Sequence, residues 1–201
     1  MKISEQIENW ESFWVKIKPA LNARSHSFQI IFDYLKKIDK PFIVETGAYR
    51  QVDNIAGDGM STVLFDCYLE FSDGRGISID LDQEACRLSR ESTKNIEVIN
   101  GDSLTTLTQI KTKADLLYLD SFDIDWNDHW PASTHHMKEL FSARNLLKDG
   151  TLIVVDDNAF DNSGARIGKG RVIFDYMQAL DINPLFDMYQ IGWIWEESNP
   201  S

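Results

Sequence analysis

The sequence predicts an α/β fold: a mainly parallel, seven-stranded sheet in a three-layer sandwich, ending in an antiparallel hairpin and preceded by N-terminal helices. Three observations predict it. From about residue 40, short β-branched runs alternate with longer helical patterns. Two of those runs, Asp115–Asp120 and Thr151–Asp156, are nearly continuous apolar stretches, as strands buried on both faces require. The last two, Leu185–Tyr189 and Gly192–Trp195, lie too close together for a crossover and must pair as a hairpin.

Residues 1–39 come first. Ile7, Trp10, Phe13, Trp14 and Ile17, then Phe28, Ile31, Phe32 and Leu35, recur at helical spacing. They predict two amphipathic helices that flank the sheet as a lid or pack on its outer face. Residues 40–201 carry the main unit, within one structural domain. Its parallel strands are Phe42–Glu45, Gly76–Asp80, Ile96–Ile99, Asp115–Asp120 and Thr151–Asp156, and helices begin near Met60, Asp82, Ser103, Ala132 and Lys169. Several of these helices open on an acidic or hydroxyl residue suited to capping first-turn amides. Asn183-Pro184 marks the turn into the hairpin.

Composition excludes some functions. With 32 acidic against 20 basic residues the formal charge is -12, which repels a phosphate backbone, so no nucleic-acid partner is expected. No apolar run approaches a membrane span, and the N-terminus is charged where a leader would be apolar; the expectation is a cytoplasmic chain with no membrane partner. Cys67 and Cys86 lack metal-type spacing and read as small core residues.

Ligands of open parallel sheets sit beyond the carboxyl ends of the strands, and here every such end is polar. The first closes on Glu45-Thr46-Gly47 and, after an insertion, meets Gly57-Asp58-Gly59-Met60-Ser61 at a helix start, where bare backbone and free amides can approach a ligand. The second ends at Asp80, with Asp82 two residues on; Asp80 is placed to accept from ribose hydroxyls, whereas Asp82 also suits a helix cap. Asp102 after the third strand can meet an adenine amine or cap the next helix. Asp120 closes the fourth strand, and Asp156, Asp157 and Asn158 the fifth. Three carboxylates on one edge repel unless protons or a cation neutralise them. They form either a Mg²⁺ or Ca²⁺ site of Asp120, Asp156 and Asp157, with Asn158 as substitute, or a solvent-facing acidic rim.

Between the fourth strand and the next helix runs a polar, aromatic loop holding Asp123, Trp126 and His129, with His135 and His136 just beyond. Each histidine serves structure or acts as a general base. Asn162–Arg171 is the compact basic segment, placing Arg166, Lys169 and Arg171 among three glycines. It reads as a movable anion-binding loop or as a plain linker, and lacks the spacing of a phosphate-binding Walker motif.

This order of elements, from about Pro41 to the C-terminus, resembles class I S-adenosylmethionine-dependent methyltransferases, whose Rossmann-like sheet also ends in an antiparallel strand. The acidic ends of strands four and five bring it nearest to the branch of macrocin O-methyltransferase-like and catechol O-methyltransferase-like enzymes. The resemblance implies that S-adenosylmethionine is the cofactor, with Glu45, Gly47, Gly57, Asp58, Gly59 and Ser61 toward its methionine part, Asp80 and Asp82 at ribose, Asp102 at adenine, and Asp120 beside it. It further implies a divalent ion on Asp120, Asp156 and Asp157 that orients an acceptor hydroxyl, with His129, His135, His136 or Asp120 in the proton transfer. Asp123, Trp126, Arg166, Lys169 and Arg171 would meet a small-molecule acceptor, a sugar or another hydroxylated metabolite. One departure is that Ala48–Ala56 separates the halves of the glycine motif, which the family keeps compact.

Three other readings compete. A nicotinamide-dependent oxidoreductase would show a compact Gly-x-Gly-x-x-Gly turn with an acidic residue about twenty positions on, and Glu45 and Asp80 stand farther apart. A non-catalytic binding module and a hydroxylase on the same fold stay open, as does a homo-oligomer.

Overall fold

In the two central strands, β4 (Leu116–Leu119) and β5 (Leu152–Val155), every side chain is buried, and the two-residue period of a strand sends alternate ones to opposite faces. The computed structural model describes residues 9–52, 54 and 60–197. One face carries Leu116, Tyr118, Leu152 and Val154 with Ile43 of β1 (Phe42–Thr46), under α1 (Trp10–Ile17), α2 (Ser25–Leu35) and α3 (Met60–Ser72). The other carries Val44, Leu117, Leu119, Ile153 and Val155, under apolar residues of α5 (Ser103–Gln109), α6 (Trp130–Ser142) and α7 (Arg171–Ala179). The sheet is therefore the middle of three layers.

Its strand order is β3-β2-β1-β4-β5-β9-β8, adding β2 (Arg75–Asp80), β3 (Ile96–Asn100), β8 (Phe186–Asp187) and β9 (Ile191–Ile194). The first five strands pair in parallel; β9 is antiparallel to β5 and β8 to β9. The chain runs outward from β1 through β2 and β3, then returns to lay β4 on the other side of β1. That reversal opens a crevice at the carboxyl ends of β1 and β4. α4 (Gln83–Ser92) packs beside β2 and β3 and contributes buried Cys86; Cys67 on α3 is buried too, and both are free thiols.

The seven-stranded sheet, its hairpin and the N-terminal helices stand as the sequence predicts, with small displacements. α6 begins at Trp130 rather than near Ala132, because Pro131 occupies its first turn, where a missing amide costs nothing. β5 stops at Val155, since Asp157 takes φ +52° and turns the chain away. Part of the expected loop at 162–171 is a strand: β7 (Arg166–Gly168) pairs with β6 (Asn158–Phe160) as a two-stranded antiparallel sheet, and the helix that follows starts at Arg171, two residues beyond Lys169. Periodicity could not reveal these three-residue strands, which are shorter than any alternation pattern.

The N-terminal helices are part of the core. Trp10 lies 4.5 Å from Phe32 and 5.0 Å from Tyr68, ring centre to ring centre, and Phe28 stacks on Tyr118 of β4 at 6.0 Å. A 3₁₀ segment, Lys18–Arg24, joins them, with Asn22 at φ 49° reversing the path. Among the described residues no helix is long and apolar enough to cross a membrane.

Two outcomes follow from this packing. Phe32 is fully buried, so Phe32→Ala should cost about 3–5 kcal/mol in urea unfolding. His136 on α6 is also fully buried; its Nδ1 donates to the Ala132 carbonyl at 2.7 Å, its Nε2 has no hydrogen-bond partner, and burial drives its pKa from 6.5 down to about 4. Between those values the unfolded chain binds a proton that the native chain does not, so this contribution is present above about pH 6.5 and is lost as pH falls. Urea unfolding should show the advantage of wild type over His136→Gln shrinking by roughly 2 kcal/mol between about pH 7 and pH 5.

Candidate functional site at the strand ends

β1 and β4 meet closely where the crevice opens. The Asp120 amide donates to the Thr46 carbonyl at 2.9 Å, and a Cβ on Gly47, which sits at φ +88°, would lie 2.6 Å from the Asp120 carbonyl oxygen. Only glycine turns the chain here. Just inside, Glu45 is buried and accepts from three hydroxyls: Ser61 at 2.5 Å, Thr62 at 2.7 Å and Ser78 at 2.9 Å. Burial pushes its carboxyl up to about 7 against those donors. Gly57, Asp58 and Gly59 lie outside the described residues, but Ser61, in the first turn of α3, ties that helix to β1 through Glu45.

Asp80 ends β2 half-buried. Its Oδ2 accepts from the Ala48 amide at 2.8 Å and its Oδ1 from the Asp82 amide at 2.7 Å. Each oxygen thus keeps a lone pair for a hydroxyl donor, which fits the two hydroxyls of a ribose. Asp82 caps α4, accepting from the Glu84 and Ala85 amides at 2.8 and 2.9 Å. Asp102 caps α5, accepting from the Thr105 amide at 2.9 Å and its hydroxyl at 2.6 Å, which hold its carboxyl below the usual range.

The structure brings Asp120, Asp156 and Asp157 together, and two cations with them. Lys169 Nζ stands 2.5 Å from Asp120 Oδ1 and 2.9 Å from Asp157 Oδ2, with its side chain 3% exposed. Arg24, from the 3₁₀ segment, places Nε 2.8 Å from Asp156 Oδ2 and Nη2 3.1 Å from Asp157 Oδ1, its guanidinium 4.6 Å over the Tyr189 ring. Neutral donors join them on Asp156 and Asp157. Tyr118 Oη donates to Asp156 Oδ2 at 2.7 Å, the Asp157 amide to Asp156 Oδ1 at 2.7 Å, and Tyr189 Oη to Asp157 Oδ1 at 2.6 Å.

The electrostatics follow. Burial by itself would lower the pKa of Lys169 and of Arg24, but their carboxylate partners outweigh it and hold both charged. Burial would likewise raise Asp157; Lys169, Tyr189 and Arg24 bring it below the usual range. Asp120 is raised, by burial and then by Asp156 and Asp157, with Lys169 opposing. Among the described residues no group of three His, Cys, Asp or Glu is arranged to hold a metal ion. As they stand, these carboxylates do not fit a divalent cation, because the ammonium of Lys169 and the guanidinium of Arg24 already lie against all three.

Lys169 reaches its partners through Gly168, at φ +110°, whose added Cβ would fall 2.2 Å from the Asp157 carbonyl oxygen. Asn158 locks the adjoining turn, its Oδ1 accepting from the Gly170 amide at 2.9 Å. The other expected anion-binding cations are placed differently. Arg166 pairs with Asp187 and lies between the Phe160 and Phe174 rings at 4.8 and 4.1 Å, and Arg171 pairs with Asp175 at 2.9 Å along α7. The three are thus separate, each in its own ion pair.

Beside the crevice, Glu139 of α6 is fully buried and accepts from Ser121 Oγ at 2.7 Å and Thr46 Oγ1 at 3.1 Å. His135 Nε2 stands 3.4 Å from Glu139 Oε1 with its side chain 21% exposed, whereas His136 is enclosed and 3.9 Å away. His129 stacks on Trp130 at 4.9 Å. Phe122, Trp126 and Trp130 are exposed on this loop, and Asp123 pairs with Arg50 at 2.9 Å. Glu139 and Arg24 escaped the sequence reading. The spacing His135-His136-x-x-Glu139, one face of a helix, would have revealed the first; nothing local marks the second.

A family profile for methyltransferase domains matches residues 56–158, just over half of the chain. No curated protein matches by sequence. Among solved structures, the calicheamicin-pathway TDP-rhamnose 3′-O-methyltransferase CalS11 superposes with a TM-score of 0.60 at 13% identity, over 97% of this chain and 90% of that one. MycE, a methyltransferase of the mycinamycin pathway in complex with Mg and SAH, gives 0.57 at 13% identity over 87% of this chain and 54% of its own, so this chain spans about half its length. The N-methyltransferase NodS from Bradyrhizobium japonicum WM9 gives 0.53 at 14% identity, over 87% and 96%. Those likenesses establish the fold, and the matched profile the family: the chain belongs to the methyltransferase-domain family and has the class I, S-adenosylmethionine-dependent methyltransferase architecture.

Proposed function

We propose that the chain is an O-methyltransferase that uses S-adenosylmethionine to methylate a hydroxyl of a sugar or other small hydroxylated metabolite. The observation that carries this reading is Asp80, half-buried at a strand end beside the β1–β4 crevice with one lone pair left on each oxygen. Bound S-adenosylmethionine supplies a methyl group on a sulfonium, open to in-line attack by an oxygen nucleophile. Asp80 and Asp82 hold the ribose and Asp102 the adenine. Glu45, Gly47 and Ser61, with Gly57, Asp58 and Gly59, shape the methionine end, and the Asp120 carboxylate beside it favours a cationic sulfur.

The acceptor is held by the loop after β4. Phe122, Trp126 and Trp130 offer apolar faces of the kind that stack on sugar rings, and Asp123 a polar rim. His135 is the general base, steered by Glu139; its partial exposure sets it apart from the fully buried His136. CalS11, whose acceptor is a nucleotide-linked sugar, supports trying sugars first. Residues 1–39 act as a flank that closes one side of the site, and the remainder as the cofactor-binding unit.

Calorimetric titration tests the reading. S-adenosylmethionine should bind, NAD should not, and Asp80→Ala should weaken binding about tenfold or more, the loss expected for a charged hydrogen-bond acceptor. Binding of NAD in preference, or no S-adenosylmethionine binding with the protein folded, would overturn it.

A further inference from the structure

We infer that Lys169 and Arg24 occupy the place of a divalent cation at the Asp120–Asp156–Asp157 corner, so that this chain neither holds nor needs Mg²⁺ or Ca²⁺ there. Three carboxyls crowd negative charge into this corner, and the ammonium and guanidinium answer it by contacts of 2.5 to 3.1 Å. Hydroxyl and amide donors from Tyr118, Tyr189 and Asp157 take up further lone pairs. A hard divalent ion completes six or more oxygen ligands partly with water, and draws on carboxylates that are free to turn to it. For all three carboxylates to turn to it, the corner would have to release Lys169, whose side chain is 3% exposed, and leave an ammonium beside the incoming ion.

Neither cation is casually placed. Lys169 is the middle of Gly168-Lys169-Gly170, where Gly168 allows β7 to press against the Asp157 carbonyl and the Gly170 amide is fixed to Asn158. Arg24 is one helical turn before Phe28, whose ring is stacked on Tyr118, and Ser27 Oγ donates to Gln190 Oε1 at 2.5 Å beside the same corner. The side chains that anchor α2 thus deliver the guanidinium. One consequence rests on the methyl-transfer reading: the acceptor hydroxyl is oriented by His135 rather than by a Lewis acid, and turnover is indifferent to chelators. The exclusion of the ion does not rest on that reading.

The test uses Mn²⁺ as a paramagnetic substitute for Mg²⁺, titrated into chelator-treated, dialysed protein while free ion is followed by electron paramagnetic resonance. Wild type should leave the free-ion signal equal to that of buffer. Lys169→Gln, which strips the corner of its ammonium, should gain one saturable site at least about tenfold tighter than any in wild type, and adding Asp120→Asn should remove it. One saturable Mn²⁺ on wild type that Asp120→Asn abolishes would overturn the inference. A folded Lys169→Gln chain that still binds no Mn²⁺ would equally overturn the claim that the lysine excludes the ion; if that variant fails to fold, the wild-type titration decides alone. S-adenosylmethionine titrated in the same chelator-containing buffer separates the two ideas, since loss of that binding counts against the proposed function and leaves the ion result standing.

Discussion

A carboxylate can be taken out of water at a strand end only if something answers its charge, and much of this structure is arranged around that requirement. β4 and β5 deliver Asp120, Asp156 and Asp157 to one corner. β7 returns to insert Lys169 between Asp120 and Asp157, and the N-terminal 3₁₀ segment brings Arg24 onto Asp156 and Asp157. Removing one partner from such a cluster leaves an uncompensated buried charge, which costs far more than an exposed pair gains. The corner therefore couples the first elements of the chain to the last, through Tyr118 in the middle of the sheet.

The same logic recurs in milder form along the rest of the edge. Glu45 is buried deeper and has no cation; three hydroxyls satisfy it, and its raised pKa shows that they compensate burial only in part. Glu139 is buried as fully, yet its partners His135, His136, Ser103 and Ser121 together overcome burial and lower its pKa. Asp82 and Asp102, nearer water, bond first-turn amides. A gradient results, from buried and ion-paired acids near β5 to solvated caps near β3. A cationic sulfonium with an uncharged adenosine suits such a gradient better than a polyanion would.

The N-terminal helices do more than cover the sheet. Aromatic spacing predicted them, and burial alone accounts for Trp10, Trp14, Phe28 and Phe32. What spacing could not disclose is that the turn between the helices points at the site. Arg24 sits in a stretch with no helical pattern, and its partners are 132 and 133 residues away in sequence. β6 and β7 present the same difficulty at the other end of the chain: their three-residue length hides them, and glycines among cations read as a mobile loop until the pairing of Asn158 with Gly168 fixes them.

By itself the sequence determined the layers, the parallel strands and their acidic ends, because strand and helix periodicities are local and because a ligand-binding sheet edge falls where strands stop. It also named Asp80, Asp120, Asp156 and Asp157 as the residues to watch. Tertiary structure alone decided what answers those charges. Whether three aspartates face a metal ion, water or the chain's own cations depends on contacts between residues more than a hundred positions apart, and on a lysine whose setting comes from a glycine at φ +110°. Charge compensation is a property of distance in space, and local sequence carries no record of it.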